Sequence, residues 1–222
     1  MGELPLIASG MMGRMSLLDA ALGAHRVVIE FPRTGVEDWV ALAEVLLQEG
    51  LGAWALPPDL LATAPEVVAL YGFRARVGAC GVTDAAAVRA AVDAGVHFIL
   101  APTTSPEMVE AAGEVPFVGG ALTPNEVAGV VRGGADTVLV TPADALGTAY
   151  ARTLPPMFPG VALVPSGRLE RYQCEMWLAA GAAGVVVSDV VLRPEDDAGL
   201  NTADEVGRRA AGFGTLARRL QG

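Results

Sequence analysis

The stretch Asp93-Ala94-Gly95-Val96-His97-Phe98-Ile99-Leu100-Ala101-Pro102 holds a helix end, a strand and a strand exit in immediate succession. Gly95 suits a helix C-terminus, where the left-handed backbone favours glycine. The run from His97 to Ala101 lacks polar alternation, as expected of a parallel strand covered on both faces. The same glycine-then-strand entry recurs as Gly50-Leu51-Gly52-Ala53-Trp54, Gly134-Ala135-Asp136-Thr137-Val138 and Gly181-Ala182-Ala183-Gly184-Val185. The intervals are 45, 39 and 47 residues, and these entries introduce strands two, four, six and eight. The odd strands leave instead through Gly78, Gly119-Gly120 and Gly167. A βαβα unit repeated four times predicts one α/β domain, a (β/α)8 TIM barrel spanning residues 1–222, with 1–12 as a flexible lead-in.

Working outward, the other strands fall on Arg26–Phe31, Gly52–Leu56, Ala75–Cys80, Pro116–Gly120, Asp136–Thr141, Val161–Val164 and Gly184–Ser188. Amphipathic helices lie between them. Trp39, Leu42, Ala43, Leu46 and Leu47 share one helical face, as do Val127, Val130 and Val131. Val206, Ala210, Phe213, Ala217 and Leu220 do so in the last helix, and an extra apolar helix over about Met15–Leu22 precedes the first strand. Thr123-Pro124-Asn125-Glu126, Thr141-Pro142-Ala143-Asp144 and Ser105-Pro106-Glu107 each combine a capping hydroxyl, a proline at the first helical position and an acidic residue. An open doubly wound sheet is the alternative, but no G-x-G-x-x-G follows the first strand to hold a dinucleotide.

Composition narrows function. The chain has 222 residues, 52% of them hydrophobic, and a formal charge of −10. That balance disfavours a nucleic-acid partner held through phosphates. No apolar run reaches the ~18 residues of a membrane span. With no leader pattern and only Cys80 and Cys174, a cytoplasmic protein with reduced thiols is expected. Two cysteines with His25 and His97 make a poor metal set, and no metal or other cofactor is expected. All fifteen Lys-plus-Arg positions are arginine. Without lysine, a side-chain Schiff base is impossible in these residues.

From Leu17 to Leu220 the sequence resembles the 2-keto-3-deoxy-6-phosphogluconate aldolase family, the compact class I aldolase barrels. The resemblance lies in the leading helix, Leu46-Leu47-Gln48-Glu49-Gly50, Val77-Gly78-Ala79 and the stretch from Asp93 to Pro102. It continues through Pro116–Gly120 with Leu122-Thr123, Thr141-Pro142-Ala143-Asp144 and Pro165-Ser166-Gly167. It implies a TIM barrel and a homotrimer. The catalytic positions depart from the family's pattern. The strand-six lysine falls on Leu139, the acid/base glutamate on Ala55, the substrate-binding arginine on Asp59 and the strand-three threonine on Gly81. Ser188-Asp189-Val190 replaces the phosphate-binding Gly-Gly-Ser of strand eight. Pro102, Pro165 and Gly167 are retained, and they shape backbone.

The remaining candidates stand at the carboxyl ends of strands, where barrels of this kind work. Glu30 and Asp189 are candidate acid/base carboxylates, and each also suits a salt bridge or a cap. Arg33 and Arg168, with Ser166, Gly167 and Thr141, are candidates to hold a small anionic 2-keto acid or sugar acid. His25 and His97 belong to the opposite face, and Cys80 is expected to be a small buried thiol. Three readings stay open: a degenerate aldolase-like binding or assembly protein, a lyase or isomerase using carboxylate acid/base chemistry, and a sugar-phosphate epimerase-like enzyme.

Overall fold

The computed structural model describes residues 16–32, 39–194 and 201–221. Eight parallel strands close a barrel in sequence order: β1 (Val27–Glu30), β2 (Ala53–Leu56), β3 (Arg76–Cys80), β4 (Phe98–Ala101), β5 (Phe117–Ala121), β6 (Thr137–Val140), β7 (Ala162–Gly167) and β8 (Val185–Val187). The fold is the expected (β/α)8 barrel.

Around it run α2 (Trp39–Gln48), α3 (Ala64–Tyr71), α4 (Ala85–Asp93), α5 (Pro106–Ala112), α6 (Pro124–Arg132), α7 (Gly147–Met157), α8 (Arg171–Ala179) and α9 (Ala203–Gln221). Before them α1 (Leu17–Leu22) closes the amino-terminal end of the barrel. A 3₁₀ turn (Pro58–Thr63) leads into α3.

Alternation along each strand divides the core into two compartments. Val28, Ala53, Ala55, Phe98, Leu100, Val118, Leu139, Val164 and Val186 fill the barrel with Leu18, Ala21 and Leu22 of α1. Val27, Ile29, Trp54, Val77, Ile99, Val138, Leu163, Val185 and Val187 face outward against the helices. Large and small residues complement one another inside. Gly78 leaves room for the Phe98 ring, which lies where a Cβ at residue 78 would fall.

Arg76 ties α1 to the barrel floor. Its guanidinium donates to Ala20 O at 2.7 Å and Ala21 O at 3.1 Å, carbonyls that the short helix leaves unpaired, and to His97 O at 3.3 Å. His97 Nδ1 accepts from Val77 N at 2.9 Å, and the His25 ring packs where a Gly52 side chain would go. Both histidines serve the amino-terminal face, as expected from the sequence.

The caps differ in outcome. Thr123 and Glu126 form a full capping box on α6, and Ser105 Oγ accepts from Met108 N on α5. Thr141-Pro142-Ala143-Asp144 starts no helix. Ala143 N donates to Ser166 O at 2.8 Å, which pins the segment to β7, and α7 begins only at Gly147. A backbone bond to a neighbouring strand overrides the local capping signal here.

Candidate functional site at the barrel mouth

Glu30 is the last residue of β1 and has the inward parity of Val28. It is half-buried, and its Oε2 accepts from Ser188 Oγ at 2.7 Å. Ser188 follows β8 and has the inward parity of Val186, so the bond joins two adjacent strands above the apolar floor. Glu30 therefore points into the mouth. Of the two arginines near it in sequence, Arg26 sits at the other end of β1, paired with Asp19 at 2.6 Å, and Arg33 lies outside the described residues.

Strand registers followed round the barrel bring inward positions of the odd strands to one level: Glu30 of β1, Cys80 of β3, Gly120 of β5 and Ser166 of β7. Layers of four from alternate strands are how such barrels pack. Below lies Ala55, Leu100, Leu139 and Val186, an apolar layer. The upper layer is thus polar on three strands and lacks a side chain on the fourth.

Ser166 is 7% exposed. Cys80 is 4% exposed within the same layer. Cys174 is different: burial behind α8 pushes its thiol up to about 12, which keeps it protonated and unreactive.

The other candidates are spread over the rim. Asp189 is half-buried in the loop after β8, with φ +55°, a left-handed conformation that aspartate tolerates better than most residues. Arg168 and Asp59 are exposed. Arg33 lies outside the described residues, as does the lead-in 1–12. Thr141 is half-buried and lines a groove of about 1270 Å³ between α5 and α6, which also touches Gly120, Thr104 and Leu122.

Two features of the β7–β8 turn were not legible in the sequence. The Asp144 carboxylate stands against Gly167, close enough that any side chain at 167 would collide with it. The backbone amides of Leu169 and Ser188 both donate to Gly167 O, at 2.8 and 3.0 Å. Alternation from Val186 could have paired Ser188 with Glu30; nothing local signals the position of Asp144.

Among the described residues no three His, Cys, Asp or Glu side chains are grouped to hold a metal ion, and no helix is long and apolar enough to cross a membrane.

Comparison with known proteins agrees with this architecture. The family model for KDPG and KHG aldolase matches residues 18–206. Solved structures with the same fold include a 2-keto-3-deoxy-6-phosphogluconate aldolase from Zymomonas mobilis, at TM-score 0.75 and 20% identity, covering 88% of this chain and 95% of that one. A KDPG aldolase from Legionella pneumophila, with pyruvate captured as a covalent carbinolamine, gives 0.73 and 20%, over 85% and 93% of the two chains. A cube-shaped cage designed by fusing symmetric oligomeric domains gives 0.77 and 23%, over 89% and 73%. No curated protein matches.

Proposed function

The chain belongs to the KDPG and KHG aldolase family, and on that premise we propose that it is a small-molecule-binding barrel that carries out no imine-forming aldol chemistry. The observation that carries this reading is the barrel interior at Leu139. An imine needs a primary amine inside the barrel, and the position that the sequence resemblance matches to the family's lysine is Leu139, 4% exposed among Ala55, Leu100 and Val186. No lysine occurs elsewhere in the 222 residues to substitute for it. Ala55, which the sequence resemblance matches to the family's glutamate, is fully buried and has no group that moves a proton.

The proposal extends to a cytoplasmic homotrimer, with Glu30, Ser166, Ser188 and Asp189 at the binding mouth and Arg168, Gly167 and Thr141 around it. A second reading draws on one specific observation. The inward Glu30 is held by Ser188, and a positioned carboxylate suits proton abstraction beside a carbonyl. The two readings separate in deuterium oxide. A binding protein leaves the methyl protons of pyruvate unexchanged beyond the buffer rate by NMR. Exchange that the protein accelerates and Glu30→Gln abolishes would establish the acid/base enzyme instead.

A further inference from the structure

We infer that α1 is an acid-released plug: protonation of His97 and His25 frees this helix from the amino-terminal end of the barrel while the eight strands stay closed. The device lies at the floor and is independent of the binding mouth.

His97 is the trigger. Its Nδ1 accepts from Val77 N at 2.9 Å, and a backbone N–H can only donate. The neutral ring therefore carries its proton on Nε2, and a second proton goes to Nδ1. That proton breaks the bond to Val77 and sets an imidazolium beside Arg76, whose guanidinium donates to His97 O at 3.3 Å. The same guanidinium holds Ala20 O and Ala21 O at the end of α1. His25 follows this helix directly. Its amide donates to Leu22 O, its ring packs against Gly52, and Arg76 and Arg26 are its charged neighbours.

The other charged groups around the floor are already engaged. Asp19 pairs with Arg26 at 2.6 Å, Asp136 accepts from Leu17 N and Thr137 Oγ1, and Glu44 pairs with Arg74 at 3.1 Å. A proton on either imidazole thus adds positive charge next to Arg76. The element that gives way is α1, because six residues do not hold a helix without docking. β3 and β4 are paired on both sides and stay. Release uncovers the apolar interior that Leu18, Ala21 and Leu22 cap, including Val28, Ala53 and Phe98. Burial and Arg76 hold both docked imidazoles below their ordinary value, and released ones bind protons at about 6.5. Docking is therefore complete above that pH, and release grows as pH falls, by up to about tenfold per pH unit for each proton taken up.

The test is hydrogen–deuterium exchange of the full chain at about pH 7.5 and about pH 5.5, with protection factors corrected for the intrinsic pH dependence of exchange. Peptides covering residues 17–25 should lose at least about tenfold protection in acid, while those from β6 and β7 keep theirs. His97→Asn offers an amide oxygen to Val77 N but takes no proton, so it should remove most of the loss, and His25→Gln should remove the rest. If His97→Asn does not fold, His25→Gln alone must still reduce the loss. Unchanged protection of α1 overturns the plug. A loss shared equally by β6 and β7 overturns it too, since that is general acid destabilisation, as does a loss that the histidine variants retain in full.

Discussion

Arg76, His25 and His97 show how three side chains at the floor set a pH dependence. Burial pushes both imidazoles below their ordinary value, and the Arg76 guanidinium adds to the shift in each. The folded chain therefore favours neutral histidine, while the unfolded chain binds protons at about 6.5. Their contribution is complete above that pH and is lost as pH falls through the lower folded values. Urea midpoints should decline between about pH 6.5 and 5, and the double variant His25→Gln, His97→Gln should decline less over the same interval. A wild-type midpoint that holds steady across it would contradict this. Asp19 acts lower on the scale, because its hydrogen bonds from Ser16 and then Arg26 depress its pKa, so its contribution fails only near and below pH 4. Gly78 is the other residue with a sharp expectation. A methyl at 78 meets the Phe98 ring, and Gly78→Ala should cost about 1–3 kcal/mol by chemical denaturation, as overpacking does.

At the scale of elements, α6 and α1 make the clearest cases. Thr123 Oγ1 accepts from Glu126 N at 3.4 Å while the Glu126 carboxylate accepts from Thr123 N at 2.7 Å and Leu122 N at 2.9 Å. These backbone bonds hold the Glu126 carboxyl below its usual value. Thr123→Ala should lose about 1 kcal/mol by urea unfolding, and an unchanged midpoint would show the box to be idle. The helix α1 has only six residues, too few to persist alone, so its stability comes from the interior core and Arg76. The strands were the most legible elements. Two-sided burial writes them as apolar runs, and observed ends lie within about one residue of expectation for most. β7 is the exception, running to Gly167 where the apolar run ends at Val164, because Ser166 and Gly167 pair with Val186 and Val187. Thr141-Pro142-Ala143-Asp144 misled for the same reason: a contact distant in sequence fixed it. The mouth was legible only in part. The sequence left Glu30 between an acid/base role and a salt bridge, and its bond to Ser188 spans 158 positions.

For the whole molecule, the closed order β1 to β8 and the two-compartment core follow from the fourfold glycine-to-strand echo. The proposed trimer belongs to this scale. Light scattering at micromolar concentration should give three times the chain mass, and a monomer would count against the assembly without touching the barrel. We propose that the family's barrel persists here with an apolar layer around Leu139 where an amine would stand, beneath a polar Glu30–Cys80–Ser166 level. The most direct test is incubation with pyruvate and sodium borohydride, followed by intact-mass measurement and peptide mapping. The account predicts an unchanged mass apart from any reaction at the terminal amine. A reduced pyruvyl adduct mapped to any residue within the barrel would contradict it.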